Sequence, residues 1–174
     1  MAFLARLTEK PLGLESLPKP DLGLLAAGAV VFGAQRLVPT YDNTYYKTLV
    51  KPSWNPPNWV FPAVWIPLKL LQSVSLWLVV KQAPDNKSLA LPLALFGAHL
   101  ALGNYWNYTF FGQRKLKESL NVMGAFWLSI AGGIASFHSI SPAAALLFAP
   151  TEIWVTIAAK LNWDIVKLNA DKAE

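Results

Sequence analysis

No cysteine occurs among the 174 residues, so disulfides, zinc thiolates and thiol nucleophiles are all excluded. Charge is scarce as well: only 14% of the residues are Asp, Glu, Lys or Arg, against about 25% in soluble domains. The chain contains no Gly-x-Ser-x-Gly elbow, no His-Glu-x-x-His, no phosphate loop and no dinucleotide-binding glycine fingerprint. Its two histidines, His99 and His138, fall in different apolar segments and at different depths, so no metal site and no resident cofactor is expected. What remains is apolar, with 54% hydrophobic residues and a mean hydropathy of +0.35. That composition points to an integral membrane protein whose first partners are lipids. The net charge of +5 is spread among short loops, which suits anionic headgroups and not a nucleic acid.

The apolar residues gather into five runs, about Asp21–Val38, Trp59–Val80, Ser88–Tyr108, Ser119–Ser139 and Pro142–Lys167. A helix of ~20 residues rising 1.5 Å each crosses a hydrocarbon core ~30 Å thick. The expected fold class is therefore an all-α membrane protein, a bundle of five transmembrane helices. One domain is expected over 21–169, between an N-terminal tail (1–20) without a signal-peptide core and a short C-terminal tail (170–174). Five spans put the termini on opposite faces. Seven basic residues, Lys47, Lys51, Arg114, Lys115, Lys117, Lys167 and Lys172, share the face of the first loop and the C-terminus. Five, Arg6, Lys10, Lys19, Lys81 and Lys87, share the other face, so the positive-inside rule leans towards a cytoplasmic first loop. Small residues such as Gly97, Ala101, Gly103, Gly132 and Gly133 let helix backbones approach closely, within one bundle or between two copies.

Between the first two runs lies Tyr45-Tyr46-Lys47-Thr48-Leu49-Val50-Lys51-Pro52-Ser53-Trp54-Asn55-Pro56-Pro57-Asn58-Trp59-Val60-Phe61. Pro52, Pro56 and Pro57 bar a regular helix here, and the Trp and Tyr rings suit a lipid–water boundary. A rigid cap over residues 39–58 is expected. Eight tryptophans are present, and Trp65, Trp106 and Trp154 fall inside spans, away from the interfacial belt. They serve either as bundle core or as the walls of a flat cavity beneath the cap, where ring faces stack on a planar apolar ligand. Arg36, near the loop end of the first run, could meet a ligand carboxylate or extend to headgroups.

The loop pattern Tyr-x-x-Leu-x-Lys-Pro-x-Trp-x-Pro-Pro-x-Trp-Val-Phe, followed by Val64-Trp65, resembles the first loop of the translocator protein family. That family is also called the tryptophan-rich sensory proteins or peripheral benzodiazepine receptors. The resemblance continues at Phe110-Phe111-Gly112, Ser141-Pro142, Pro150-x-x-x-Trp154 and Ala158-x-x-Leu161-Asn162, covering roughly Arg36 to Asn169. It implies a five-helix bundle, commonly dimeric, in a mitochondrial or bacterial membrane. It also implies binding of porphyrins, sterols or synthetic ligands in a cavity under the loop. By this resemblance the ligand-binding positions are Arg36, Trp54, Trp65, Trp106, Trp154, Ala158 and Leu161. Porphyrin or haem would be a ligand and not a fixed cofactor. In some bacterial members the tryptophans matching Trp65 and Trp154 are linked to porphyrin breakdown, and only through that link would the chain be an enzyme.

The departures are equally specific. The family's Trp-x-x-Leu-Tyr-x-x-Met-Gly is here Trp65-Ile66-Pro67-Leu68-Lys69-Leu70-Leu71-Gln72-Ser73, and its Gln-Leu-x-Leu-Asn is His99-Leu100-Ala101-Leu102-Gly103. Its Pro-Tyr becomes Pro150-Thr151, with Glu152 next, and its sterol motif has Trp163 in place of the central tyrosine. Lys69, His99 and Glu152 each lie about ten residues into their runs, which puts all three near the midplane. Groups at that depth face inward and pair or neutralise. Since the family fold sets the second and fifth helices side by side, Lys69 and Glu152 are expected to form a buried ion pair, or to line one polar cavity with Gln72 and His99. Two functions follow: a binding protein or transporter for a planar hydrophobic ligand, most simply a tetrapyrrole, or an accessory subunit of a larger membrane assembly with its pocket altered or filled.

Overall fold

The computed structural model describes residues 17–34 and 42–170. Among these the regular elements are all helices: α1 (Leu22–Ala34), α2 (Asn43–Thr48), α3 (Val60–Gln82), α4 (Ala90–Asn107), α5 (Leu116–Ile140) and α6 (Pro142–Leu168). Helices α3, α5 and α6 are long and apolar enough to cross a membrane. Helix α4 has 18 residues, continued by a π-helical turn at Tyr108–Gly112, and its hydropathy is diluted by His99, Asn104 and Asn107. Helix α1 has 13 residues. The remainder of the first run expected from sequence lies outside the described residues, and Arg36 with it.

Each helix end has a local cause. Ser141 caps α6 by accepting from the Ala144 N–H at 3.2 Å, and Pro142 occupies the first turn, where its missing N–H costs nothing. Pro67 and Pro150 sit inside α3 and α6 without ending them. At α5 the helix starts at Leu116, three residues before the expected Ser119, because the Leu116 side chain is fully buried beside the cap. Arg114 turns the chain into α5 with φ 61°, a left-handed conformation unusual for a residue with a side chain.

The helices close into a ring. Helix α1 packs on α3, α3 on α6, α6 on α5 and α5 on α4, and α4 returns to touch α1. Asp21 fastens the ring at one end, accepting from Trp77 Nε1 at 2.9 Å and pairing with the Lys81 ammonium. The Lys81 contact, then the Trp77 contact, hold the Asp21 carboxyl below its ordinary range. Gly133 lets α5 and α6 meet: a Cβ there would lie 2.9 Å from the buried Phe148 ring.

Burial is inverted relative to a soluble protein. Leu25, Leu70, Leu91, Leu128, Leu146 and Ile153 are exposed on the outside, while Gln72, Ser75, Ser129, Thr151 and Asn162 are buried within. Lipid accepts apolar side chains, so the outer surface needs no polar residues, and the polar groups turn inward to find partners.

Candidate functional site

At one end of the ring, the Pro-rich stretch folds into a cap. Asp42 begins α2 by accepting from the Tyr45 N–H at 3.0 Å, and Arg114 reaches the same carboxylate at 3.3 Å. The Tyr45 amide first, with help from Arg114, holds the Asp42 carboxyl below its ordinary range. Lys51 Nζ donates to the Tyr46 and Leu49 carbonyls at 2.7 and 2.8 Å, and Tyr46 Oη donates to Asn55 Oδ1 at 2.7 Å. These bonds stitch the proline segment to α2. A latch then ties the cap to the bundle: Val50 N–H donates to Asn169 Oδ1 at 3.0 Å, and Asn169 Nδ2 donates to the Val50 carbonyl at 2.8 Å. The Asn169 side chain is also held by the Ile165 carbonyl at 2.8 Å, so the last turn of α6 presents it ready-made.

Beneath the cap lies a cavity of ≈ 130 Å³. Its walls are aromatic: Tyr46 from the cap, Phe61 and Trp65 from α3, Trp106 from α4, Phe110 and Phe111 from the π-turn, and Trp154 from α6. Phe61 meets Trp154 edge-on at 6.0 Å, and Phe110 stacks on Trp106 at 5.3 Å. The π-turn matters here. Its extra residue shifts the helix register so that Phe110 and Phe111 both turn inward, at 1% and 8% exposure. From α6, residues 154, 158, 161, 162 and 165 follow the three- and four-residue spacing of one helix face.

Three polar atoms on residues of this wall stand out. Trp106 Nε1, Trp154 Nε1 and Asn162 Nδ2 are buried and have no hydrogen-bond partner among the described residues. All three are donors. A buried donor left unpaired costs about 1–3 kcal/mol, so each of these groups would gain from an acceptor.

A second cavity of ≈ 200 Å³ adjoins the first, and Trp65, Trp106, Asn107 and Phe126 line both. Its other walls include Lys69, Gln72, His99 and Asn104. Gln72 Nε2 donates to Thr151 Oγ1 at 3.0 Å, His99 Nδ1 lies 2.5 Å from the Phe96 carbonyl, and Asn104 Nδ2 donates to the Ala34 carbonyl at 2.8 Å.

The structure brings Trp65, Trp106, Trp154, Ala158 and Leu161 together around the aromatic cavity. Trp54 does not join them. It is 42% exposed on the cap and donates to Asp164 Oδ2 at 3.1 Å. The expected ion pair between Lys69 and Glu152 is absent. Helices α3 and α6 do lie side by side, but the residue that α6 points at α3 is Thr151, bonded to Gln72. Glu152, one residue on, is rotated by about 100° out of that seam, and its carboxylate oxygens are buried without a partner among the described residues. Lys69 turns the other way, towards the Val31 carbonyl at 3.4 Å. Of the four expected members of the polar cluster, Lys69, Gln72 and His99 share a cavity and Glu152 lies outside it. Asn107 is not among the sequence-predicted site residues, and Asn162 enters from sequence only through the Ala158-x-x-Leu161-Asn162 pattern. Asn162 follows Trp154 and Ala158 at four-residue steps, a spacing that places it on the same face.

Comparison with known proteins gives a consistent answer. A family model described as the TspO/MBR family matches residues 22–168. Protein CrtK of Rhodobacter capsulatus is 38% identical over 125 residues, covering 72% of this chain and 78% of its own length. The tryptophan-rich sensory protein of Cereibacter sphaeroides is 34% identical over 151 residues, covering 87% of this chain and 91% of its own. The translocator protein of Homo sapiens is 32% identical over 156 residues, covering 86% and 90%.

Proposed function

This chain belongs to the TspO/MBR family of integral membrane proteins, and from that premise we propose that it binds a planar, largely apolar ligand beneath its cap. The observation that carries the reading is the aromatic cavity together with the buried Trp106, Trp154 and Asn162 donors on its lining residues, which have no partner among the described residues. Ring faces from Trp65 and Trp154 supply stacking surfaces, and the indole and amide N–H groups supply partners for acceptors on the ligand. The cavity is not filled by side chains of the described residues, which favours ligand binding over a purely structural role in a larger assembly.

A tetrapyrrole is the ligand class we infer. The closed cavity is smaller than the 300–1,000 Å³ usual for sites that engulf a drug-sized molecule, so a tetrapyrrole requires movement. Rotation of Trp106, which lines both cavities, together with lifting of the cap would join them. All five of α1, α3, α4, α5 and α6 serve as membrane helices in this reading, with α4 continued through its π-turn.

The test is titration of the detergent-solubilised protein with protoporphyrin IX, read by quenching of tryptophan fluorescence. Each stacked ring contributes about 1 kcal/mol beyond area burial, so replacing Trp65 and Trp154 together with leucine weakens binding at least tenfold while the bundle stays folded. Unchanged affinity in the double variant removes the stacking model. Absence of saturable quenching in the parent removes the ligand-binding reading and leaves the structural-subunit reading in its place.

A further inference from the structure

We propose that the second cavity is an anion subsite, in which Lys69 receives a carboxylate carried by the planar ligand whose apolar body lies in the aromatic cavity. The inference rests on the ligand-binding reading above and adds to it the chemical class of the ligand.

Lys69 sits near the middle of α3, about 14 Å along the helix from Val60, and only 7% of it is exposed. A charge at that depth is retained only where something compensates it. Among the described residues nothing acidic does. Asp21 pairs with Lys81, Asp42 with Arg114, Glu118 with Lys115 and Asp164 with Lys160; Asp85 accepts from the Ser88 N–H, and Glu152 has no hydrogen-bond partner. Lys69 itself makes one long contact, 3.4 Å to the Val31 carbonyl, and lies 5.8 Å from the centre of the Phe32 ring. An ammonium has three donors, and one stretched bond to a neutral carbonyl leaves its charge unbalanced.

Two of the side chains that line the same cavity, Asn104 and Asn107, also have donors to offer. Asn104 and Asn107 each spend one amide hydrogen, on the Ala34 and Gly103 carbonyls at 2.8 and 2.9 Å. A primary amide has a second hydrogen to give. One cation with two amides around a single space is a binding site for a monoanionic oxygen pair, and a carboxylate matches it in charge and in acceptor count. The position relative to the aromatic cavity fixes the rest. Trp65, Trp106, Asn107 and Phe126 face both spaces, so a ligand with its ring system on the Trp65 and Trp154 side can extend a short acidic arm past Trp106 to Lys69. A neutral planar ligand gains nothing from this arrangement.

The experiment compares protoporphyrin IX with its dimethyl ester, which keeps the ring and removes both carboxylates. Dissociation constants are measured by tryptophan quenching for the parent, K69M, K69Q and K69R, with the thermal transition and gel-filtration profile of each as a check on folding. The parent is expected to favour the diacid at least tenfold over the diester. K69M and K69Q lose that preference by weakening diacid binding alone, and K69R retains it. An equal preference in the parent and in the neutral variants overturns the anion subsite while leaving the planar-ligand reading intact. Failure of both porphyrins to bind the parent overturns both. Should K69M fail to fold, the comparison of K69Q with K69R carries the same decision.

Discussion

Replacing Asn169 with alanine isolates the latch between cap and bundle. The change removes the two hydrogen bonds to the Val50 backbone, at 3.0 and 2.8 Å, and the side-chain bond to the Ile165 carbonyl at 2.8 Å, while the backbone bonds that end α6 at Asn169 remain. Each such bond contributes a net 0.5–1.5 kcal/mol, roughly. Val50 is 52% exposed, so its freed amide and carbonyl find water, and the loss falls in the lower half of that range. Cap opening therefore becomes easier by about 1–2 kcal/mol, a rise of roughly 5–30-fold in the open population. Hydrogen exchange in detergent micelles reads this directly. Amides of residues 45–55 are expected to exchange about tenfold faster in N169A, while those of α5 are unchanged. Equal protection of the cap in both proteins would refute the latch. A uniform loss of protection across α5 and α6 would show instead that Asn169 supports the bundle as a whole.

G133A drives a methyl group against the Phe148 ring, which is fully buried and has no room to yield; a loss of about 1–3 kcal/mol is expected, visible as a lowered thermal transition, and an unchanged transition would show that α5 and α6 can part there. A double-mutant cycle on Q72L and T151V is expected to give a coupling of about 0.5–2 kcal/mol for their 3.0 Å bond, and strict additivity would show that it contributes nothing. Asp42 titrates lower in the folded cap than its ordinary value of 3.8, so its contribution is fully present above that value and lost as pH falls through the lowered folded value. Proteolysis of the cap is accordingly expected to quicken in strongly acidic buffer in the parent, and a D42A variant, already lacking the carboxylate, is expected to lose that part of the pH dependence; an identical acid response in both would clear Asp42 of the role.

Membrane character and the larger helices are legible in the sequence because length and apolar content decide them, and lipid leaves few alternatives. The proline segment likewise declares a cap, since three of its residues cannot donate backbone bonds. Trp65, Trp106 and Trp154 were readable as a group because indole rings this deep exceed what an interfacial belt uses. Orientation around a helix was harder. Lys69 and Glu152 reach the same depth, yet one residue of rotation separates Glu152 from the seam that Thr151 occupies. The π-turn at Tyr108–Gly112 depends on a single inserted residue and leaves no pattern of its own. The latch joins residues 119 positions apart in the chain, and nothing local to Asn169 distinguishes it from an ordinary helix end.

Filling the aromatic cavity from within tests the central claim most directly. Ala158 lines it from α6, and A158F places a phenyl ring in space the ligand would occupy while sparing every tryptophan and every donor. With protoporphyrin IX as probe, the folded A158F protein is expected to bind at least tenfold more weakly than the parent, with an unaltered or higher thermal transition because the void is filled. Full affinity in a folded A158F protein would show that the ligand binds elsewhere, and that the cavity under the cap is not the site.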